Sequence, residues 1–460
     1  MSQKIILVGG GLTGSLMAIY LAKRGFQVEV YERRPDMRTN VINAGRSINL
    51  AISARGIHAL QQVGLADKVL QTAVAMKGRM MHDVAGNLTY QPYGKNDNEY
   101  INSISRKDLN ILLMNEAEAL PNVTFHFKQR CLGMNHENGE VFLYDENTKN
   151  TRNARGNVII GTDGAASALR MEFLKHGRFN FSQQFEDYGY KELTIPATVK
   201  GEFQMEKNAL HIWPRGAYMM IALPNREGDF TCTLFLPYDK GEHNFNTLKT
   251  TADVEQFFKI VMPDAVPIMP AMLNDFFSNP TGTLLTVKCG PWNIGGKALL
   301  MGDAAHAIVP FFGQGMNCGF EDCYYLDQLI EKHDTDWNTI FTQFSQQREV
   351  NANAIADMAL ENFVEMRDLV AHKDFLLKKK ADVLLEEKYP GRFISKYAMV
   401  SFHRIPYAVA QQRGKIQDAI LMEMCSKINS IEELNVDEAW NSISKAFAKA
   451  GIEEQILIEA

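Results

Sequence analysis

The sequence predicts an α/β protein. It has a doubly wound, Rossmann-type unit, an antiparallel sheet interleaved with it, and a helical C-terminal region. Three observations predict this. Residues 5–8 form a continuous apolar, β-branched run that leads at once into Gly9-Gly10-Gly11-Leu12-Thr13-Gly14, as a strand buried on both faces does before a tight turn. Residues 181–289 hold short β-type segments, at 188–193, 216–223 and 230–236, punctuated by Gly and Pro, the pattern of an antiparallel sheet. From residue 340 onward apolar positions recur at helical spacing.

In chain order, residues 5–8 read as the first strand, 16–24 as a helix and 27–31 as a second strand ending in Glu32. In a dinucleotide site Gly9 allows the tight turn, Gly11 lets the backbone approach a diphosphate, and Gly14 lets helix pack on strand. The diphosphate rests on the free N–H groups of the helix N-terminus. Glu32 has the spacing of an acid that accepts from a ribose 2′-OH; a carboxylate there repels a 2′-phosphate, so the site suits FAD or NAD and not NADP. Ser53 reads as an N-cap, with Ile57, Leu60 and Val63 at helical spacing behind it. A strand follows over 77–82, then a hairpin at Ala85-Gly86-Asn87, a helix over 107–120, and strands at 121–127 and 141–144.

Composition excludes several function classes. A net charge of −6 gives no basic surface for nucleic acid, and no apolar run approaches the roughly 18 residues of a membrane span. The N-terminus runs straight into the glycine turn and does not read as a signal peptide. Six scattered cysteines without a CxxC pair suit a reducing, cytoplasmic setting. Cys318 and Cys323 fall in a stretch that reads as helix, where a five-residue separation points side chains about 140° apart, so they are expected as two buried thiols and not a disulfide. No His/Cys cluster has metal-ligand spacing, and no metal is expected.

Two more stretches repeat the strand-turn pattern: 158–170 with Gly161-Thr162-Asp163-Gly164, its helix opening at Ser167, and 296–306 with Gly302-Asp303. An aspartate after a buried strand can reach the hydroxyls of a ribityl chain, which a flavin has and NAD lacks. The run Pro310-Phe311-Phe312-Gly313-Gln314-Gly315-Met316-Asn317 then opens a helix, whose N–H groups could stabilise negative charge on a reduced flavin.

These three motifs, in this order, resemble the class A flavoprotein aromatic hydroxylases. That family holds FAD through a GxGxxG, a DG and a GD motif, and a second GxGxxG is absent here, as in the family, where NADPH visits without a Rossmann domain of its own. The resemblance narrows to members that hydroxylate L-kynurenine in tryptophan degradation, and runs to about residue 430. It is carried by 45–51, 79–82, 91–94, 210–214, 309–317, 359–366 and 397–402. It implies that FAD contacts Gly9, Gly11, Leu12, Thr13, Gly14, Glu32 and Arg33, together with Ala51, Arg106, Asp163 and Asp303, and with Gly315, Met316 and Asn317. It implies substrate contacts at Arg79, Tyr93, Asn362, Tyr397 and Phe311, with Arg79 and the two phenols gripping an α-carboxylate. Gln314 is expected nearest the reacting oxygen. His306 is expected to be structural. Some bacterial members carry a histidine where this chain has Phe312, so no proton relay is transferred there.

The resemblance thus implies ring hydroxylation at C3 with NADPH and O2, and no protein nucleophile. The expected division is 1–76, 97–180 and 290–340 for the FAD-binding unit, 77–96 and 181–289 for the sheet, and 341–460 for the helices. The methionines and aromatics of the sheet are expected as core, and Lys378-Lys379-Lys380 as a solvated face. The tail, 416–460, reads as amphipathic helix without the membrane anchor of animal members, and Glu453, Glu454 and Glu459 disfavour anionic lipid. Oligomeric state is left open, a homodimer included. Three alternatives stand beside this reading: a sister hydroxylase acting on another aromatic acid, a related FAD reductase that consumes no O2, and a flavin-binding interaction module.

Overall fold

The computed structural model describes residues 3–39, 49–94, 96, 98–369 and 372–456. Residues 45–48 of the resemblance-carrying stretch 45–51 lie outside them. The chain forms two compact units, each drawn from three stretches: 1–73, 104–186 and 284–356 in the first, 74–103, 187–283 and 357–460 in the second.

The first unit is built on a six-stranded sheet. Its order is Asn293–Ile294, Ala298–Leu300, Val158–Gly161, β1 (Lys4–Val8), β2 (Gln27–Glu32) and Val123–Phe127. All neighbours are parallel except the short edge pair. Ile5, Ile6 and Leu7 are fully buried, which is why the β1 sequence shows no alternation. The helix after it, α1 (Leu12–Lys23), begins four residues earlier than its apolar pattern suggests. Its first turn is made by the glycine motif itself, so hydrophobic periodicity starts late. Ser53 does precede α2 (Ala54–Gln62), but its side chain makes no cap. Instead the Ser53 N–H donates to Asn317 Oδ1 at 2.9 Å. Cys318 and Cys323 are both free and buried in the helix Gly315–His333.

The second unit contains, as neighbours in one sheet, residues 187–195 of the strand Asn180–Ile195, then Phe230–Pro237, Tyr218–Pro224, Ala209–Arg215, Gly78–His82 and Leu88–Pro92. Ala209–Arg215 and Gly78–His82 run parallel, with Leu210 opposite Arg79. One face carries Trp213, Met220, Phe230 and Leu234 against Phe257 and Phe258 of the helix Thr251–Val261; each large side chain buried there contributes about 1.5–3 kcal/mol. Many of the methionines and aromatics of this stretch are core, whereas Phe185 and Phe277 are exposed. The C-terminal helices enclose a second apolar cluster around Leu385, Leu421, Trp440 and Phe447. Among the described residues no helix is long and apolar enough to cross a membrane.

A polar chain crosses the sheet next to Arg79. His82 Nδ1 lies 2.7 Å from Asp264 Oδ2, and His82 Nε2 lies 2.9 Å from His211 Nδ1. His211 Nε2 lies 2.8 Å from the Glu206 carbonyl, and Trp213 donates to Asp264. Burial pushes His211 down to about 4, with His82 adding to the shift and the Glu206 carbonyl opposing it. The folded ring therefore binds fewer protons than the unfolded one between pH 6.5 and 4. Its contribution is full above pH 6.5 and is lost as pH falls towards 4, by about 3 kcal/mol. Urea unfolding of His211→Gln is expected to show a correspondingly shallower pH slope over that window. Parallel slopes for variant and wild type would remove His211 from the account.

Candidate functional site

The glycine motif shapes a cradle. Gly9 has φ +106°, and a Cβ there would sit 2.5 Å from the Thr162 carbonyl oxygen. At Gly14 a Cβ would meet the Gly9 carbonyl oxygen at 2.0 Å. Gly11 is the opposite case: its Cβ would meet no atom within 4 Å, and α1 starts there without a side-chain cap. Open space thus faces uncapped helix N–H groups, which is what an anionic diphosphate needs. Leu12 and Thr13 form the first turn, half-buried.

Glu32 closes the next strand, with Oε2 accepting from Gly10 N at 2.8 Å and Oε1 from Arg34 N and Nε, both at 2.9 Å. Burial favours its neutral form, but Arg34 and the two backbone donors outweigh this and hold it below the usual carboxylate range. The remaining lone pairs stay available to hydroxyls. Arg34, which the sequence reading passed over, is the partner; Arg33 is exposed beside it, as is Arg106 at the start of its helix.

Asp163 uses Oδ2 to cap the helix after it, accepting from Ala168 N at 2.7 Å and Leu169 N at 3.3 Å. Its Oδ1 is buried with no hydrogen-bond partner among the described residues, and burial raises its pKa. An orphaned carboxylate oxygen in such a place awaits a donor. Arg170 ties this turn to the next by donating to the carbonyls of Ala165 and Ala304. Gly302 bends the chain with φ +56°, which leaves Asp303 exposed. Asn317 then staples the Gly315 helix to the strand before α2, donating to the Ala51 and Gly313 carbonyls, each at 2.8 Å. Gln314 is buried and donates to Ser53 Oγ at 3.4 Å. Phe311 is buried in the turn Pro310–Phe312, and Gly315 and Met316 are half-buried in the helix that follows. A helix N-terminus for phosphates and free carboxylate oxygens for hydroxyls fit FAD.

The second unit brings together Arg79, Tyr93 and Tyr397. The two tyrosine rings stack at 5.3 Å with planes 7° apart, and the Arg79 guanidinium lies 5.5 Å and 5.1 Å from their centroids. Arg79 is only 8 % exposed, yet its Nε and the Tyr93 hydroxyl have no hydrogen-bond partner among the described residues. Burial works against the guanidinium charge, but Tyr93, Tyr397 and Glu365 outweigh it and keep its pKa above the ordinary value. Such a buried, charged, unsatisfied fork is built for an anion.

Glu365, which sequence reasoning missed, opens a π-helical turn, Glu365–Leu369, directly after the long helix Trp337–Val364. Burial would neutralise it; Lys379, Lys378, Lys396 and Arg79 reverse that and hold it ionised. Asn362, one turn earlier, is buried and donates to Met366 Sδ at 3.4 Å. Here the expected solvated lysine face is corrected. Lys378 is 4 % exposed and paired with Asp382 at 2.9 Å and Asp418 at 2.5 Å; Lys379 faces Glu365 at 3.5 Å, and only Lys380 is exposed. Acids supplied by the same and a neighbouring helix turn a charge run inward.

A family model described as FAD binding domain matches residues 2–359. Relatives named kynurenine 3-monooxygenase include those of Myxococcus xanthus, 51 % identical over 95 % of this chain and 93 % of the relative, and of Anopheles gambiae, 45 % identical over 91 % and 85 %. The chain belongs to the kynurenine 3-monooxygenase family. A similar fold is seen in 2-methyl-3-hydroxypyridine-5-carboxylic acid oxygenase, with TM-score 0.65 and 19 % identity over 83 % of this chain and 97 % of that one. Another similar structure is p-nitrophenol 4-monooxygenase of Pseudomonas putida, with TM-score 0.63 and 17 % identity over 84 % and 94 %.

In this kynurenine 3-monooxygenase family member the first unit also holds a buried ionic chain that sequence reasoning missed. Arg55 donates to Glu321 at 2.6 Å; Arg348 reaches Glu321 at 2.7 Å and Asp322 at 2.8 Å; His306 Nε2 lies 2.6 Å from Asp322 Oδ2. His306 stacks on Trp292 with centroids 5.0 Å apart. Burial opposes its charge, but the Cys318 sulfur and Asp322 raise its pKa well above the ordinary value. His306, Cys318 and Asp322 lie within 4.8 Å of one another. That set is already organised around a cation, because Arg348 donates both to Asp322 and to Cys318 Sγ. The signal available in the sequence is the pair Glu321-Asp322 inside an otherwise apolar helical stretch, where at least one acid must face inward.

Proposed function

We propose that this chain hydroxylates L-kynurenine at C3 of its ring to give 3-hydroxykynurenine, with bound FAD and with NADPH and O2 consumed. The observation that carries this is the buried Arg79 fork with its orphaned Nε, flanked by two phenols and facing an ionised Glu365. Kynurenine 3-monooxygenase relatives at this identity support the substrate. Arg79 takes the α-carboxylate bidentately, Tyr93 donates its unpartnered hydroxyl to it, and Tyr397 completes the shell. Glu365 meets the α-ammonium, with Asn362 beside it. A zwitterionic amino acid thus finds both charges matched, while a simple aromatic acid makes no use of Glu365.

The FAD contacts are Gly11 to Gly14 for the diphosphate, Glu32, Arg33, Ala51 and Arg106 around the adenosine and flavin ends, and Asp163 and Asp303 for hydroxyls. The chemistry FAD supplies when bound is the relay of two electrons from NADPH to O2, one oxygen atom entering the ring and the other leaving as water. The N-terminal N–H groups of the Gly315 helix, at Gly315, Met316 and Asn317, stabilise negative charge there. Phe311 keeps water out, which protects the oxygen-transfer step, and Gln314, directly ahead of the Gly315 helix, offers an amide to orient the reacting oxygen. The protein positions and shields; it offers no nucleophile of its own.

The test is anaerobic. The yellow protein is mixed with NADPH with and without L-kynurenine, and loss of flavin absorbance is timed. Reduction should be much faster with L-kynurenine, and admitting O2 should then yield 3-hydroxykynurenine. Stimulation by hydroxybenzoates and none by kynurenine would reject the substrate.

A further inference from the structure

We propose that Asp322 is a positioning residue for the cofactor: it fixes the Gly302 turn and thereby aims the Asp303 carboxylate. The inference rests on the reading of Asp303 as an FAD contact. The Gly302 backbone, at φ +56° and ψ −144°, is one that glycine adopts readily and other residues do not. Its N–H donates to Asp322 Oδ2 at 3.1 Å, its carbonyl accepts from His306 N at 2.9 Å, and Thr13 Oγ1 would lie 2.8 Å from any added Cβ. Asp322 is therefore the side chain that holds the amide just ahead of Asp303.

Asp322 itself has no freedom to move. Its other oxygen is taken by Arg348, Arg348 is held by Glu321, and Glu321 by Arg55, while His306 shares the oxygen that faces Gly302. All five side chains are at most 5 % exposed. Buried ion pairs gain little net stability over apolar residues of the same volume, because desolvation offsets the attraction. An apolar filling could pack this region equally well, but it would leave the Gly302 N–H buried and unpaired. What the chain of charges provides is one geometry for the turn. Besides His306 on the short helix Asp303–His306 that follows the turn, three other helices contribute to it, Arg55 from α2, Glu321 and Asp322 from the Gly315 helix and Arg348 from the Trp337 helix, so the turn is braced from three directions.

The test is a double-mutant cycle read by FAD release. Holoprotein is diluted and the recovery of flavin fluorescence gives the release rate. Asp322→Asn should raise that rate at least about tenfold in the wild-type background and less than about twofold in an Asp303→Ala background, since the carboxylate it aims is then gone. Equal acceleration in both backgrounds would mean that Asp322 merely supports the fold and would overturn the proposal, as would no acceleration in either. If Asp303→Ala alone leaves release unchanged, it is the reading of Asp303 that fails. Should Asp322→Asn not fold, Arg348→Lys, which keeps the charge but loses the two-point grip on Glu321 and Asp322, goes through the same cycle with the same criteria.

Discussion

Replacing Arg79 with alanine is expected to raise KM for L-kynurenine roughly ten- to a hundredfold, with kcat changing far less. A hydrogen-bonded charge pair is worth about 1.5–3 kcal/mol, and the Arg79 site adds two reasons to expect the upper part of that range. The guanidinium is buried, so its attraction for a carboxylate is weakly screened, and its Nε has no partner among the described residues to lose on binding. The substrate carboxylate, deprived of Arg79, would instead meet an ionised Glu365. Arg79→Lys should fall between, since an ammonium keeps the charge and gives up the planar fork. FAD content and thermal unfolding of the variants give the control. A KM within twofold of wild type in a folded, yellow Arg79→Ala protein would remove the clamp from the mechanism.

What the sequence made legible is what depends on neighbours along the chain. The strand at 5–8, the glycines after it and the two later aspartates announce an α/β dinucleotide unit because each motif is complete within about a dozen residues. The polar surroundings of those motifs were not legible. Arg55 meets Glu321 across 266 positions, and Arg348 reaches Asp322 across 26; nothing in local composition says which acid turns inward. The lysine run failed for the same reason, because Asp418 lies on another helix and neutralises Lys378 and Lys396 at once. The π turn at Glu365–Leu369 has no propensity signature; such turns are rare and tend to occur at functional sites. Without it the helical repeat alone gives no reason to single out Glu365 beside Arg79. Arg79, Tyr93 and Tyr397 were named from the family resemblance; the stacking of the two rings, and the Arg79 Nε and Tyr93 hydroxyl that have no partner among the described residues, are properties of the folded chain alone.

Gly11→Val is expected to yield a folded protein that purifies colourless, with FAD affinity lowered at least about a hundredfold. A Cβ at Gly11 would meet no neighbouring atom within 4 Å, and the backbone there, at φ −73° and ψ −169°, is one that valine accepts. Apoprotein unfolding should therefore stay close to that of wild-type apoprotein. The new methyl groups would occupy the space in front of the α1 N-terminus and hold a diphosphate away from its N–H groups. Losing two charge-assisted hydrogen bonds of about 1.5–3 kcal/mol each accounts for the size of the effect. Gly14→Ala, three residues on, should behave in the reverse order: its Cβ would stand 2.0 Å from the Gly9 carbonyl oxygen and 2.6 Å from Thr162 Oγ1, so the strand-helix packing gives way before any ligand is involved. Equilibrium titration with FAD and thermal unfolding of the apoproteins separate the two. If Gly11→Val bound FAD as wild type does, the diphosphate would have to lie elsewhere, and the assignment of α1 as its anchor would fall with it.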